Sequence, residues 1–241
     1  MPQATIILGG GSIDGVGGAL AKRFAEGGHH VVFTGRTLEK VQATADEIAA
    51  DGGSIEAMQV DVTKAEDQDA LFARAAELGD IAAVIYNAGN NAIIPFEELT
   101  AEVFENFWRI CCFGAFLTAK RAVPLLKAQG SGSFLVTGAS GSMRGKPNFA
   151  HFAAAKGALR NLLQSLAREF GPQGIHVAHF VIDGVIDGDR VRSRFPEYLE
   201  QMGDDGSLSP AAIAEAFWNT HNQHRSAWSH EVELRPFKEN W

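Results

Sequence analysis

Short apolar runs alternate with amphipathic stretches along most of this 241-residue chain. Apolar runs bounded by turn residues are typical of β-strands, whereas apolar residues spaced three and four apart predict helices. The predicted strands cover residues 5–8, 31–34, 55–60, 81–86, 133–137, 176–182 and 228–234. The predicted helices cover residues 18–24, 38–50, 66–78, 100–127, 148–170 and 209–221.

This alternation predicts an α/β fold. Strands that are joined through helices pair in parallel by right-handed crossovers, which place helices on both faces of the sheet. The run at residues 81–86 is nearly all apolar, as expected for a strand covered on both faces. We therefore expect a Rossmann-type, doubly wound parallel sheet of about seven strands, in a single domain spanning residues 1–241. The pattern loosens at residues 187–208, which we interpret as a lid or substrate segment.

A glycine-rich turn follows the first predicted strand. Ligands of open parallel sheets bind beyond the carboxyl ends of the strands, so the residues just after each strand are the most informative. Residues 9–17 read Gly-Gly-Gly-Ser-Ile-Asp-Gly-Val-Gly and lead directly into a helix. Glycines allow close approach of the backbone, and a helix N-terminus offers N–H groups to a phosphate. This arrangement predicts a dinucleotide site, whose candidate residues are Gly11, Ser12, Gly15, Val16 and Gly17.

Arg36 follows the second predicted strand. Sheets that bind NAD usually carry an acidic residue there for the ribose hydroxyls, whereas an arginine can hold the 2′-phosphate of NADP. Asp14 in the glycine turn argues the other way, because a carboxylate near that phosphate would repel it. We favour NADP as the cofactor over NAD, and a surface role for Arg36 is the alternative.

Two more strand ends carry candidate cofactor residues. Asp61 and Val62 follow the third predicted strand, where a carboxylate can accept a hydrogen bond from an adenine amino group. The alternative for Asp61 is a helix N-cap. Asn87, Ala88 and Gly89 follow the fourth, where small residues leave room for a cofactor and an asparagine can tie neighbouring strands together.

These features, in this order, resemble the short-chain dehydrogenase/reductase family over essentially the whole chain. The spacing of Gly11 to residues 15–17 matches the family's glycine motif, or else Gly10 is the first motif glycine and one residue is inserted. Residues 87–89 and 145–147, and Lys156 on the helix that follows, match other family motifs. The resemblance implies a cofactor-binding role for Lys156 at the nicotinamide ribose and for Ile186 near the nicotinamide amide. It also implies that Gly188 stands where the family has a cofactor-binding threonine.

The catalytic region departs from the family pattern. By the resemblance, a tyrosine four residues before the lysine transfers the proton, a serine binds the substrate carbonyl and an asparagine supports a proton-relay water. Those three positions hold Phe152, Ala139 and Cys111, so Lys156 alone of the four catalytic residues is retained. The related enoyl-reductase position, seven before the lysine, is Phe149.

Five residues lie where they could in principle replace the missing groups. Ser140 adjoins Ala139, but a shift by one residue on an extended segment turns a side chain to the other face. His151 adjoins Phe152, but neighbours on a helix point about 100° apart. Tyr198 and Asp187 lie in or beside the lid segment and could approach the site. Tyr86 ends a strand, where a structural role is favoured.

Arg190, Arg192 and Arg194 alternate within the lid segment of an otherwise acidic chain. An extended conformation would place all three on one side, where they could capture an anionic substrate such as a carboxylate or phosphate ester. A solvated lid face is the favoured alternative. The site is therefore expected to take a small-molecule substrate, with an anionic group as a hypothesis.

The composition excludes some function classes. The net charge of −8 argues against binding to nucleic acid or to an anionic membrane surface. No apolar run approaches the roughly 18 residues needed to span a bilayer. The two cysteines are adjacent in sequence, which disfavours a disulfide and favours reduced thiols in the cytoplasm. No metal site is predicted.

Two functional hypotheses remain open. The first is an NADP(H)-dependent oxidoreductase with a non-standard active site, and the second is a non-catalytic NADP(H)-binding sensor or scaffold. The family resemblance also implies a homodimer or homotetramer built on the helices at residues 100–127 and 148–170. Phe104, Phe107, Trp108 and Phe116 supply apolar area for such an interface or for the core.

Overall fold

The computed structural model describes residues 3–239. Residues 1–2 and 240–241 lie outside the description. These residues contain a seven-stranded, all-parallel sheet with the order β3-β2-β1-β4-β5-β6-β7. Its strands are β1 (Ala4–Leu8), β2 (His30–Gly35), β3 (Ile55–Gln59), β4 (Ile81–Tyr86), β5 (Ser133–Thr137), β6 (His176–Ile182) and β7 (Glu231–Leu234). The predicted Rossmann-type architecture is confirmed.

Helices cover both faces of the sheet. Helices α1, α2 and α9 pack on one face, and α3, α5 and α6 pack on the other. The α-helices are α1 (Val16–Glu26), α2 (Leu38–Ala50), α3 (Ala65–Glu77), α4 (Ala101–Trp108), α5 (Gly114–Gln129), α6 (Ala150–Phe170), α7 (Asp189–Arg194), α8 (Pro196–Met202) and α9 (Pro210–His221). Among residues 3–239, no helix combines the length and the apolar character needed to cross a membrane.

Each central strand contributes to two hydrophobic cores. On β1, Ile6 and Leu8 face the core beneath α3, α5 and α6, while Ile7 faces the core beneath α1, α2 and α9. All three side chains are fully buried. Burial of one such side chain contributes about 1.5–3 kcal/mol, which explains why strands in this sheet are apolar at successive positions.

The helix predicted at residues 100–127 is interrupted. After α4, residues Arg109–Phe113 form a π-helical turn, and α5 then contains Pro124. The Tyr86 hydroxyl donates a 2.5 Å hydrogen bond to the Ile110 carbonyl, which gives a carbonyl in the turn a partner outside the helix. Such π-turns occur frequently at functional sites, and this one carries Cys111.

The segment at residues 187–208 is more regular than its sequence pattern indicates. It contains α7 and α8, and its ends are joined by a bridge between Ile186 and Leu208. Arg190, Arg192 and Arg194 all belong to α7, so the extended stretch that the anion-capture hypothesis requires is not formed. Neither short helix has a fully buried residue, so neither shows the apolar periodicity of a packed helix.

Candidate active site

A cleft crosses the carboxyl ends of β1, β2, β3 and β4. It encloses about 670 Å³ of empty space, part of it open to solvent. Its lining residues come from the loops that follow these four strands: Gly9, Gly10, Gly35, Arg36, Val60, Asp61, Val62, Asn87, Ala88, Gly89 and Asn90, with Ile110 from the π-turn. The cleft therefore lies where the sequence predicts a ligand, and it gathers Arg36, residues 61–62 and residues 87–89 in one place.

The glycine turn approaches the sheet most closely at Gly9 and Gly10. Gly9 has φ of +98°, and a Cβ there would lie 2.3 Å from the Ala88 nitrogen. A Cβ on Gly10 would lie 2.6 Å from the Phe33 ring, whereas one on Gly11 would meet nothing within 4 Å. The packing thus supports the alternative in which Gly10 is the first motif glycine and one residue is inserted. Gly11 faces open space.

Helix α1 points its N-terminus at this turn. Gly15 is its N-cap residue, Val16 and Gly17 begin its first turn, and no acidic residue lies in that turn. The Ser12 carbonyl accepts a hydrogen bond from the Gly15 nitrogen, which folds the turn back on the helix. The first N–H groups of a helix lack partners within the helix, so this end is suited to a phosphate.

Arg36 and Asp61 lie at the β2 and β3 side of the cleft. Arg36 is exposed, and its carbonyl accepts a hydrogen bond from Gln59. The Asp61 carboxylate accepts hydrogen bonds from the nitrogen and the hydroxyl of Thr63 at 2.9 and 2.7 Å. Burial raises the pKa of Asp61, but the hydrogen bonds from Thr63 and the charge of Arg36 outweigh it and leave the pKa lowered. Asp61 is thus held as an anion at the cleft.

Asn87 ties three strands together, as its position suggests. Its Nδ2 donates to the Gly9 carbonyl at 2.9 Å, and its Oδ1 accepts from the Thr137 hydroxyl at 2.8 Å. The loops that follow β1, β4 and β5 are therefore held in register at the floor of the cleft.

Lys156 projects from α6 beside this junction. It is buried, with 4% of the residue exposed, and Nζ donates to the Thr137 carbonyl at 2.8 Å. A Cβ on Gly89 would lie 3.4 Å from Nζ, so the ammonium lies against the loop that lines the cleft. Burial lowers the pKa of Lys156, and the nearby Cys111 raises it in part.

The three departures from the family pattern surround Lys156. The Phe152 ring centre lies 6.0 Å from Lys156 Nζ, and the ring packs against Gly141. Ala139 is extended at the end of β5, and Cys111 is fully buried in the π-turn. None of these side chains carries a hydroxyl, so the residues at the three positions offer no phenol or alcohol to a substrate.

The residues that could have replaced the missing hydroxyl groups have other partners or lie in other places. Ser140 bonds the Asp183 carboxylate, and Asp187 is paired with Arg192 at 2.7 Å. His151 is buried edge-on against Phe107, with ring centroids 4.3 Å apart, and burial lowers its pKa. Tyr198 is half exposed on α8.

Two clusters of charged and polar side chains near the site were not predicted from the sequence. The Asp183 carboxylate, at the end of β6, accepts two hydrogen bonds from Arg144 Nη2 at 2.9 and 2.8 Å. This pair joins the loop after β5 to the end of β6 and fixes the loop that carries Ala139. The signal in the sequence was a charged residue, Asp183, directly after the apolar strand β6.

The second cluster lies behind Lys156. The His179 Nδ1 lies 3.1 Å from a Glu231 oxygen, and Arg160 donates two 2.7 Å hydrogen bonds to the same carboxylate. A Cβ on Gly138 would lie 2.0 Å from His179 Nε2, so the imidazole lies directly against the backbone next to Ala139. Burial lowers the pKa of His179 to about 4.

The arginines of α7 have different partners. Arg190 donates to the Asn90 side chain at 2.8 Å and to the Asn91 carbonyl at 2.6 Å, and Arg192 pairs with Asp187. The Arg194 side chain has no hydrogen bond or ion pair with any other residue in the range 3–239. Ile186 lies at the start of this segment and packs against the core beneath α1 and α9.

The short-chain dehydrogenase model matches residues 3–198. The chain belongs to the short-chain dehydrogenase/reductase family. It is 36% identical over 176 residues to the oxidoreductase asL5 of Sarocladium schorii, a match that covers 73% of this chain and 69% of that protein. A match to dehydrogenase/reductase SDR family member 4 of Sus scrofa, 33% identical, covers 69% of this chain but only 60% of that protein.

Solved structures share the fold. A short-chain dehydrogenase from Rhodopseudomonas palustris is 34% identical, with a TM-score of 0.81 over 97% of this chain and 99% of that chain. An alcohol dehydrogenase from Thermococcus sibiricus, complexed with 5-hydroxy-NADP, superposes with a TM-score of 0.84. It is 24% identical and covers 100% of this chain and 99% of that chain, so it shows the fold alone.

Proposed function

We propose that this short-chain dehydrogenase/reductase binds NADP(H) in the cleft across β1–β4 and uses it in a redox reaction. The observation that carries the proposal is the cleft itself, which runs from Arg36 past the glycine turn to Gly89. In this arrangement Arg36 would hold the 2′-phosphate and Asp61 the adenine amino group. The N-terminus of α1 would receive the pyrophosphate, and Lys156 the nicotinamide ribose.

The backbone of Asp14 lies beside the lid segment, since a Cβ on Gly188 would lie 3.2 Å from the Asp14 carbonyl oxygen. A carboxylate beside Arg36 would oppose a 2′-phosphate, but the charge of Asp14 acts on Arg192 in α7. The hydrogen bond and charge of Asp187 raise the pKa of Arg192, and the charges of Asp14 and Asp189 add to this effect. Asp14 thus contributes to the charge around Arg192, and Arg36 at the other end of the cleft is the residue that we propose for the 2′-phosphate.

The residues around Lys156 suit a substrate that needs no phenol from the protein. The cofactor supplies or accepts the hydride, and the protein must position the two reactants. Because Phe152 and Ala139 have no hydroxyl, the proton must come from the substrate or from water. We therefore propose reduction of an activated carbon–carbon double bond, or of a substrate that carries its own acidic group, over simple ketone reduction.

Titration with NADPH and NADH, followed by nucleotide fluorescence, tests the cofactor assignment. NADPH oxidation with a panel of enoyl and carbonyl compounds then tests turnover. Activity that survives purification and is lost in Lys156→Ala supports the proposal. Binding of neither nucleotide would contradict it.

A non-catalytic NADP(H) sensor or scaffold is the second candidate. The observation that favours it is that Phe152, Ala139 and Cys111 replace every proton-handling group except Lys156. This candidate predicts tight NADPH binding without turnover on any compound in the panel.

We also propose a homodimer or homotetramer located in the cytoplasm. An apolar groove lies between α5 and α6, lined by Phe116, Val123, Leu166 and Phe170 among others. Phe116 is 41% exposed and stacks on Phe113, so the groove continues into an exposed aromatic surface. The cysteines are free and buried, which fits a reducing compartment.

A further inference from the structure

The lid segment at residues 187–208, here called the strap, contacts both the glycine turn and the loop after β4. At one side its backbone touches the glycine turn, since a Cβ on Gly188 would lie 3.2 Å from the Asp14 carbonyl oxygen. Two residues later Arg190 reaches the loop after β4, where Asn90 lines the cleft. The strap therefore spans from the turn after β1 to the loop after β4, across the path that a dinucleotide would take.

Arg190 is the side chain that fastens the strap on the β4 side. Its Nη1 donates to the Asn90 Oδ1 at 2.8 Å, and its Nη2 donates to the Asn91 carbonyl at 2.6 Å. Hydrogen bonds from a charged donor are stronger than those between neutral groups. Two such bonds, made by one planar group, also fix the direction of the strap.

The other arginines of the strap do not share this role. Arg192 is turned back on Asp187 within its own segment, and Arg194 has no polar partner among residues 3–239. Both acceptors of Arg190 are neutral, so its guanidinium forms no ion pair with a carboxylate in the same range. Its positive charge is therefore left at the cleft mouth, where it can attract the phosphates of a dinucleotide.

We infer that Arg190 retains the bound dinucleotide by fastening the strap over it, and thereby sets the rate of cofactor release. The inference rests on the proposed NADP(H) function. By the family resemblance, Gly188 stands where a threonine hydroxyl would bind the cofactor, and glycine has no hydroxyl. Arg190 would compensate for this lost contact by holding the strap in place. Asn90 and Asn91 take part in this role because they accept the hydrogen bonds from Arg190.

Stopped-flow release of NADPH, chased with excess NADP⁺, measures this role directly. We expect Arg190→Ala to release NADPH about tenfold faster than the unmodified chain, which corresponds to about 1.4 kcal/mol. Arg190→Lys should lie between them, since lysine keeps the charge but loses the planar pair of donors. Arg194→Ala is the matched control, with the same change of charge on the same helix, and should release NADPH at the original rate.

Hydrogen exchange of the strap in the ligand-free protein provides a second readout. Backbone amides at residues 187–207 should exchange faster in Arg190→Ala than in the unmodified chain. In Arg194→Ala their exchange rates should be unchanged. Release within twofold of the original rate in Arg190→Ala, or unchanged exchange, would overturn the inference and leave the cofactor proposal intact. Failure of the unmodified protein to bind either nucleotide would overturn both.

Discussion

Lys156 and Phe152 stand one helical turn apart on α6, with the ammonium nitrogen 6.0 Å from the centre of the aromatic ring. The family's cation is thus in place and buried, but its neighbour cannot exchange a proton. Nζ instead donates to the Thr137 carbonyl at the end of β5. Because a phenylalanine ring has no exchangeable proton, restoring a hydroxyl at this position is an experiment that distinguishes the two proposed functions.

Restoring the hydroxyls should restore proton transfer if the site is otherwise intact. General acid catalysis contributes roughly 10²- to 10⁴-fold, so we expect Phe152→Tyr with Ala139→Ser to raise ketone reduction clearly above background. The measurement is NADPH oxidation with a panel of simple ketones. The same double substitution combined with Lys156→Met is the control and should show little gain. No gain in the double variant itself would mean that the site is shaped for another reaction.

Lys156→Met should show whether Lys156 serves cofactor binding or the stability of the fold. Methionine has a similar length but no charge, so it relieves the desolvation that lowers the pKa of Lys156. We expect an unfolding free energy that is unchanged or higher by about 1 kcal/mol, together with NADPH binding weakened about tenfold. Lys22→Met, at an exposed ion pair with Asp51, is the control and should alter neither quantity by much. A clear loss of stability in Lys156→Met would indicate a structural lysine instead.

Arg36→Ala should change the preference between cofactors. Loss of a guanidinium–phosphate contact weakens binding by about 1.5–3 kcal/mol, or roughly 10- to 150-fold. We expect that loss for NADPH and little change for NADH, as measured by calorimetric titration of both. Arg74→Ala is the control, because Arg74 lies on α3 and its side chain pairs with Glu56 on β3. Equal weakening of NADPH and NADH would contradict the 2′-phosphate assignment.

Stability should fall in mild acid because of His179. Burial lowers its pKa to about 4 from 6.5, so the unfolded chain binds more protons between these values. The stabilisation is fully present above pH 6.5 and is lost as the pH falls towards 4. Glu231 has its pKa lowered to about 2 by its hydrogen bond from Arg160, and its contribution is lost from about pH 4.5 downwards.

His179→Asn should therefore reduce the slope of unfolding free energy against pH between pH 6.5 and 4.5. One group contributes at most about 1.4 kcal/mol per pH unit. Part of the slope should remain, because burial also lowers the pKa of His29, His176 and His221. His224→Asn, at an exposed turn, is the control for replacing a histidine outside the core, and urea titrations across this pH range provide the measurement. An unaltered slope in His179→Asn would show that another group dominates the acid response.

The strands of the sheet can be predicted from the sequence because each strand is defined by neighbouring residues along the chain. The strands at residues 81–86, 133–137 and 176–182 begin and end as predicted, since apolar runs bounded by turns define them. The π-turn at Arg109–Phe113 was missed because its partner, Tyr86, lies on a distant strand. The clusters around Asp183 and Glu231 were missed for the same reason, since Arg144 and Arg160 reach them only in the folded chain.

The glycine turn shows where spacing alone is insufficient. Two alignments of the motif differed only in whether Gly10 or Gly11 comes first. Packing favours Gly10, because a Cβ there would collide with the Phe33 ring on the neighbouring strand, whereas a Cβ on Gly11 would meet nothing within 4 Å. That contact is tertiary, so no local pattern could have shown it.

Phe116→Glu should test the proposed oligomer. Phe116 is exposed at the groove between α5 and α6, so a charge there costs the folded monomer little but opposes burial in an interface. We expect light scattering at micromolar concentration to show a dimer or tetramer for the original chain and a smaller species for Phe116→Glu. Phe96→Glu is the matched control, because Phe96 is 76% exposed in the loop after β4, away from the groove. A monomeric original chain would reject the proposal, and a variant that keeps the original mass would place the interface elsewhere.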